Sequence, residues 1–335
     1  MKRKAWLDNG KFIAMILVVI YHTPPRYDTA TEALLFNMGA PVFFFAAGYV
    51  VNIAKQQNFL AFLRHRAKQI LIPYSTFFVI FYALWLAVGR RMAGPEEMAI
   101  DVLTPPWQFI GGRPEVVLGP FWFLAGLFSM QLIYYPIKRY LPGWLPLVAG
   151  ILLGLSLLVL PDLPWLRYWN IDRALLYMPI YAVGNNCRHL ADKVSFGSLG
   201  RSLLWIALAA GSFLFLSYAP FRWDKDLAYV LAPFAVILVL PFSPAVCKSL
   251  EASPAVCRVG RVVAITRITY LAVQNYLIGV IKIVLGRLLG PDVFDDNILL
   301  KVVIALIVMV VLYPIAILVD RYCPWLLGKK SPSLP

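Results

Sequence analysis

The sequence predicts an all-α integral membrane protein, a single polytopic bundle of about ten transmembrane helices over residues 1–335 with both termini in the cytoplasm. Three observations predict it. The first is composition: 61% of the 335 residues are hydrophobic and 14% are charged, whereas a soluble domain carries about 25% charged residues. The second is that the apolar runs are long and continuous. That pattern fits helices and not the alternating strands of a barrel, the other backbone that closes its hydrogen bonds in hydrocarbon. The third is a separation of basic residues between alternate loops.

Apolar windows of about 20 residues, the length that crosses a bilayer, fall near 10–24, 33–54, 69–89, 119–137, 143–161, 170–187, 202–220, 227–243, 266–286 and 298–319. The first follows the basic cluster Lys2-Arg3-Lys4. It ends at His22-Thr23-Pro24-Pro25 with no small-residue cleavage site, so it reads as an uncleaved helix. Internal prolines in the second, fifth, sixth, eighth and tenth windows (Pro41, Pro146, Pro179, Pro233, Pro314) are tolerated in a bundle whose neighbours satisfy the freed carbonyls. The longest connection, residues 90–118, holds Pro95, Pro105, Pro106, Pro114, Gly111-Gly112 and Trp107. A loop of that length is suited to covering an outward-facing site.

With the N-terminus inside, ten spans put nineteen of the 31 Lys and Arg on the cytoplasmic side and nine outside, with Lys11, Lys282 and Lys301 within or at the edges of spans. This is the excess that short cytoplasmic loops carry, and removing one span scrambles it from that point on. The net charge of +14 is thus topology and contact with anionic membrane lipid, and implies no nucleic-acid partner. Cys187, Cys247, Cys257 and Cys323 fall at cytoplasmic ends, where thiols stay reduced. His22, His65 and His189 lie on separate segments without cysteine partners. Neither a disulfide nor a metal site is expected.

Ionisable groups inside a membrane cost roughly 2.5–3.5 kcal/mol each at a helix centre, so each is a functional candidate. Lys11 and His22 are eleven residues apart, which returns them to nearly one helix face about 16 Å apart along the axis. A neutral imidazole can take a proton from a hydroxyl nucleophile near neutral pH. The plainer alternative has Lys11 snorkelling to headgroups and His22 closing the helix. Asp8, three residues before Lys11, is placed to pair with it. Asp28 and Glu32 could orient His22 or be solvated loop acids. Arg64 and Arg66 flank His65 ahead of the third span, and arginines grip phosphate with a geometry lysine lacks; the alternative is an ordinary basic loop. Tyr74 and Trp122 either line a cavity or anchor at an interface. Asn275 shares a face of the ninth span with Lys282 and is the better cavity residue of the two.

Several of these segments, taken in order, resemble the acyltransferase 3 family of bacterial membrane O-acyltransferases. Trp6-Leu7-Asp8-Asn9-Gly10-Lys11 through His22 is similar to that family's Arg/Lys-x10-His signature in its first helix. Phe43-Phe44-Phe45-Ala46-Ala47-Gly48-Tyr49 resembles its second-helix motif, Arg64-His65-Arg66 with Ile72-Pro73-Tyr74 its RxR region, and Gly119-Pro120-Phe121-Trp122-Phe123-Leu124 its fourth-span element. Later, only the stretch around Ile268-Thr269-Tyr270 and the closing Asp320-Arg321 look alike. Ala47 stands where a serine is common, and Gln274-Asn275 stand where many members have Leu-His.

The resemblance implies transfer of an acyl group, acetyl in the usual case, from cytoplasmic acyl-CoA to a hydroxyl of a cell-surface saccharide or lipid-linked glycan. It implies a multi-pass protein of the bacterial cytoplasmic (inner) membrane. No bound cofactor is expected, and acyl-CoA, usually acetyl-CoA, is the co-substrate. It assigns Arg64 and Arg66 to the coenzyme and the Lys11–His22 signature to the catalytic machinery; Asp8, Tyr74, Trp122 and Asn275 are the supporting candidates that the residues themselves offer. A transporter or flippase of saccharides is the competing class; it calls for paired broken helices in an inverted repeat, a pairing that the sequence does not display to the eye.

Overall fold

The computed structural model describes residues 3–24, 29–53, 56, 58–92, 98–157, 163–186, 188, 250–290 and 297–334. Every regular element among the described residues is helical, as the composition predicts. We number the principal helices α1 (Ala5–His22), α2 (Thr29–Val50), α3 (Phe59–Leu84), α4 (Thr104–Ile110), α5 (Trp122–Tyr140), α6 (Leu145–Ser156), α7 (Ile171–Leu176), α8 (Met178–Asn186), α9 (Pro254–Leu289) and α10 (Ile298–Tyr322).

Four described helical stretches are long and apolar enough to cross a membrane: Phe59–Gly89, Glu115–Tyr140, Pro254–Leu289 and Ile298–Tyr322. The windows expected at 202–220 and 227–243 lie outside the described residues. The count of ten and the side on which the termini lie therefore rest on the sequence. The expected span at 170–187 is broken into α7 and α8, with Pro179 early in α8, a position where its missing N–H leaves no gap in the ladder. Apolar side chains cover the outside of α10, Val310 being 71% exposed. Such a surface is stable against lipid and not against water.

The chain divides into two compact units. The first is Met1–Val51, Gly143–Val159 and Leu176–Ile317. Within it α1 packs against both α2 and α9, and α8 packs against α2 and α6. The α2–α8 contact is a close approach of backbones: Gly48 lies on the Tyr181 carbonyl and Gly184 on the Phe45 carbonyl, with no room at either for a β-carbon. Small residues that let helices meet in this way are the usual device of membrane bundles. Asn185 Nδ2 then donates to the carbonyls of Gly48 (2.9 Å) and Val51 (2.8 Å), satisfying orphan acceptors at the end of α2. Serine and proline start α9, Ser253 accepting from the Val256 N–H at 3.4 Å and Pro254 holding the first position.

The second unit is Asn52–Pro142, Leu160–Leu175 and Leu318–Pro335. Asn58 caps α3 by accepting from the Ala61 N–H (2.8 Å). Tyr74 is the hub of this unit: buried, it stacks on Phe109 with centroids 4.8 Å apart and donates its hydroxyl to the Phe109 carbonyl (2.9 Å). Gly111, Gly112 and Arg113, from the long connection, bond to the segment Pro164–Asn170, where Trp169 and Asn170 hold positive φ of 53° and 50°. Three bonds impose that strain: Trp169 N–H to Gly111 O (2.8 Å), Asn170 Nδ2 to Gly112 O (2.6 Å) and Ser129 Oγ to Trp169 O (2.8 Å). Past α10 the tail folds back. Buried Asp320 accepts from the Lys329 ammonium and from the N–H groups of Ser333 (2.8 Å) and Leu334 (2.9 Å).

Candidate active site

Helix α1 carries ionisable side chains at both ends. At the Asn9 end, Asp8 is 5% exposed and is ion-paired with Arg3 and, at 3.6 Å, with Lys11 Nζ. The i,i+3 pairing expected from the sequence is therefore present. A third cation joins from α9: Arg267 bends back toward the start of its helix, Nη1 donating to Ala264 O at 2.8 Å, and its charge acts on Asp8, Arg3 and Lys11. Three cations share one carboxylate, so the cluster holds an excess of positive charge, with Asp8 and Lys11 largely buried and Arg3 at its exposed edge. Anions are attracted to such a place.

At the other end His22 is half-buried, its Nδ1 2.7 Å from the Val18 carbonyl one turn back. A carbonyl only accepts, so Nδ1 carries the proton, and in the neutral ring Nε2 is left with the lone pair. Tyr21 meets the ring edge-on at 5.0 Å. Lys301 of α10, 1% exposed, is the charged side chain whose field reaches the imidazole. Asp28 and the side chain of Glu32 lie outside the described residues.

These contacts fix a register. Asn9 donates from Nδ2 to Cys257 Sγ (3.9 Å), and a β-carbon on Gly260 would lie 2.6 Å from Asn9 Oδ1, so Asn9 and Gly260 are level. Tyr270 donates to Met309 O (3.4 Å), which makes the two level, and the connection 290–297 is too short to return the chain along the whole of α9, so α10 runs antiparallel with Lys301 near the level of Ile278. Because Lys301 acts on His22, α1 runs parallel to α9 and His22 stands near residue 273. Gly260, Arg267 and Gln274 recur every seven residues, close to two helical turns, and so line one face of α9.

Of the two residues at 274 and 275, the structure buries Gln274 (0% exposed) and leaves Asn275 exposed. Both polar atoms of Gln274 are buried without a hydrogen-bond partner. It is the one side-chain amide among the described residues of which this is true.

The second unit carries the other predicted residues. Arg64 is exposed; Arg66 donates to Gln69 Oε1 (2.8 Å) and lies over the Phe62 ring at 5.3 Å. Because this stretch is helical, the two arginines project about 200° apart, and they do not converge on one phosphate from one face of α3. Tyr74 has its hydroxyl engaged by Phe109. Trp122 lies under the Arg173 guanidinium (4.4 Å), and Arg113 pairs with Asp172 nearby. Among the described residues no group of His, Cys, Asp and Glu is arranged to hold a metal ion.

Sequence reading missed Lys301, Arg267 and Gln274. In the sequence Lys301 reads as an edge lysine and Arg267 as one of the nineteen cytoplasmic charges; the seven-residue recurrence on α9 is the signal that points to two of them. In comparisons with known proteins, the family model described as an acyltransferase domain, that of acyltransferase 3, matches residues 4–321. No curated protein and no solved structure matches the chain.

Proposed function

The chain belongs to the acyltransferase 3 family and is an acyltransferase, and from that premise we propose that it moves an acyl group, acetyl in the simplest case, from cytoplasmic acyl-CoA to a hydroxyl of a saccharide or lipid-linked glycan outside a bacterial cytoplasmic membrane. The observation that carries the reading is the state of His22: Nδ1–H donates to Val18 O at 2.7 Å, and Nε2 is the free base. Nε2 takes the proton of the acceptor hydroxyl as the oxygen attacks the thioester carbonyl. The C–O bond forms, the C–S bond breaks, and the imidazolium returns its proton to the leaving thiolate. A base of this kind contributes about 10²–10⁴-fold.

The cations supply the donor side. Arg64 and Arg66, on diverging faces of one helix, suit the separate phosphate groups of a coenzyme rather than a single phosphate. Lys11 belongs to a cluster with net positive charge about 16 Å along α1 from His22. The separation fits a donor whose phosphates and thioester lie at opposite ends of an extended arm.

The test is acyl transfer from radiolabelled acetyl-CoA into extractable glycan by membranes bearing the wild type or His22→Ala at matched abundance. Label that appears with the wild type and is lost with the variant supports both the reaction and the residue. Equal labelling by the two removes His22 from the chemistry, and labelling no higher than empty membranes across several acyl-CoA donors removes the reaction.

A further inference from the structure

We infer that Gln274 binds the acceptor: its amide holds a hydroxyl of the sugar that His22 deprotonates. The inference rests on the acyl-transfer reading above and adds to it a residue of the acceptor site.

Four observations converge on that position. Gln274 is 0% exposed, and neither Oε1 nor Nε2 has a partner. A buried primary amide without hydrogen bonds costs more than an apolar side chain of the same size, so packing alone does not account for it. It lies on the face of α9 that turns to α1, two heptads beyond Gly260, which touches Asn9. Counted from that level contact, fourteen residues up α9 to Gln274 and thirteen up α1 to His22 give the same depth, about 20 Å at 1.5 Å per residue. Lys301, from a third helix, is buried little more than one turn farther along and acts on His22. Three helices thus bring polar side chains toward this end of α1.

The chemistry of the amide names the class of ligand. Oε1 accepts and Nε2 donates, and a sugar hydroxyl does both, so one amide can hold a neutral polyol through a reciprocal pair of bonds. The amides and hydroxyl of a coenzyme arm lie back from its reacting end; the thioester that must meet His22 offers a carbonyl acceptor and no donor, so it could use the amide Nε2 and would leave Oε1 unmatched. An acceptor held by Gln274 presents a neighbouring hydroxyl to Nε2 of His22, and water, which lacks the rest of the sugar, gains little from the contact.

The test compares wild type with Gln274→Met, which keeps length and volume and removes both polar atoms. Membranes bearing each are given acetyl-CoA at saturation, and acetate released to water is measured beside acetyl groups in extractable glycan. The variant is expected to shift the ratio of glycan acetylation to acetate release downward by at least about tenfold, the loss of the reciprocal pair of hydrogen bonds to the acceptor. Purified in nanodiscs, the variant is expected to melt at or above the wild-type temperature, because no internal bond has been lost. A lower melting temperature marks the amide as structural and overturns the inference. So does an unchanged ratio in an enzyme whose glycan acetylation still depends on His22. Wild-type membranes that consume no donor sink the acyl-transfer reading itself, a failure distinct from either.

Discussion

Replacing Asp320 by alanine tests how the chain end holds the helix that bears Arg64 and Arg66. The carboxylate is fully buried and accepts from Lys329 Nζ, Ser333 N and Leu334 N. The tail it fastens lies along α3: Thr76 Oγ1 donates to Leu326 O (2.9 Å), and Gly328, at φ 65°, sits against the Lys68 carbonyl without room for a β-carbon. Breaking a buried charge pair costs about 3–5 kcal/mol. Lys329 is 24% exposed and recovers part of its hydration, which puts the loss near the lower end, about 3 kcal/mol. At 1.4 kcal/mol per factor of ten, the undocked tail becomes roughly a hundredfold more populated. Hydrogen exchange read by mass spectrometry on residues 324–334 in nanodiscs measures this directly, and exchange at Ser333 and Leu334 should accelerate by that factor. Because the tail backs α3 from Lys68 to Thr76, directly after Arg64 and Arg66, the KM for acyl-CoA should rise while kcat holds. Exchange as slow in the variant as in the wild type refutes the docking, and faster exchange with an unmoved KM refutes its link to the donor.

Three further outcomes are expected. Asp8→Asn leaves Arg3, Lys11 and Arg267 without their shared carboxylate, which should cost about 3–5 kcal/mol; adding Arg267→Gln should restore part of the loss, read as melting temperature in a double-mutant cycle, and strictly additive losses would contradict the cluster. Gly184→Val drives a side chain into the Phe45 carbonyl on α2 and should cost at least about 1–3 kcal/mol, seen as loss of monodisperse protein on size-exclusion chromatography. Asn170→Ala removes the bond to Gly112 O and puts at φ 50° a residue without the short polar side chain that lets asparagine adopt that conformation, a combined cost of about 2–4 kcal/mol; Asn170→Gly, free of the backbone strain, should lose about half as much in the same thermal melt.

The sequence disclosed what depends on one helix at a time. The Lys11–His22 repeat, the Asp8–Lys11 pairing and the helical class follow from spacing and hydropathy along a single segment. Which helices face one another does not. Arg267 reads as a loop charge until α9 is laid beside α1, and Lys301 reads as an edge lysine until Tyr270 and Met309 set the register of α10. The choice between Gln274 and Asn275 was equally closed to the sequence, since adjacent residues differ by about 100° around a helix and only the neighbours decide which one is buried. Arg64 and Arg66 show the opposite case. An RxR in a loop can close on one phosphate, and the Asn58 cap that extends α3 over this stretch is what separates the two guanidinium groups.

Buried polar groups in this chain fall into two kinds, and the difference bears on which of them act. In the second unit Asp320, Ser129 and the Asn170 amide nitrogen each have a backbone or side-chain partner, and each holds a segment that would otherwise come away: the tail, the turn at Trp169, the loop at Gly112. Removing any of them should register first as stability. In the first unit His22 commits one ring nitrogen to Val18 and keeps the other, the Asp8 cluster has more cations than its carboxylate can balance, and Gln274 commits neither atom. Membrane interiors penalise uncommitted polarity heavily, so folding alone would favour leucine or methionine at such positions. Gln131 Oε1 and Asn170 Oδ1 in the second unit are also without partners, each alone on its segment; in the first unit the uncommitted groups recur along α1 and the face of α9 that meets it, with the cations at one end and the base and amide about 16–20 Å away at the other. A reaction whose donor is an anion carrying a distant thioester and whose acceptor is a neutral hydroxyl needs unlike groups at two depths, and this helix pair supplies them.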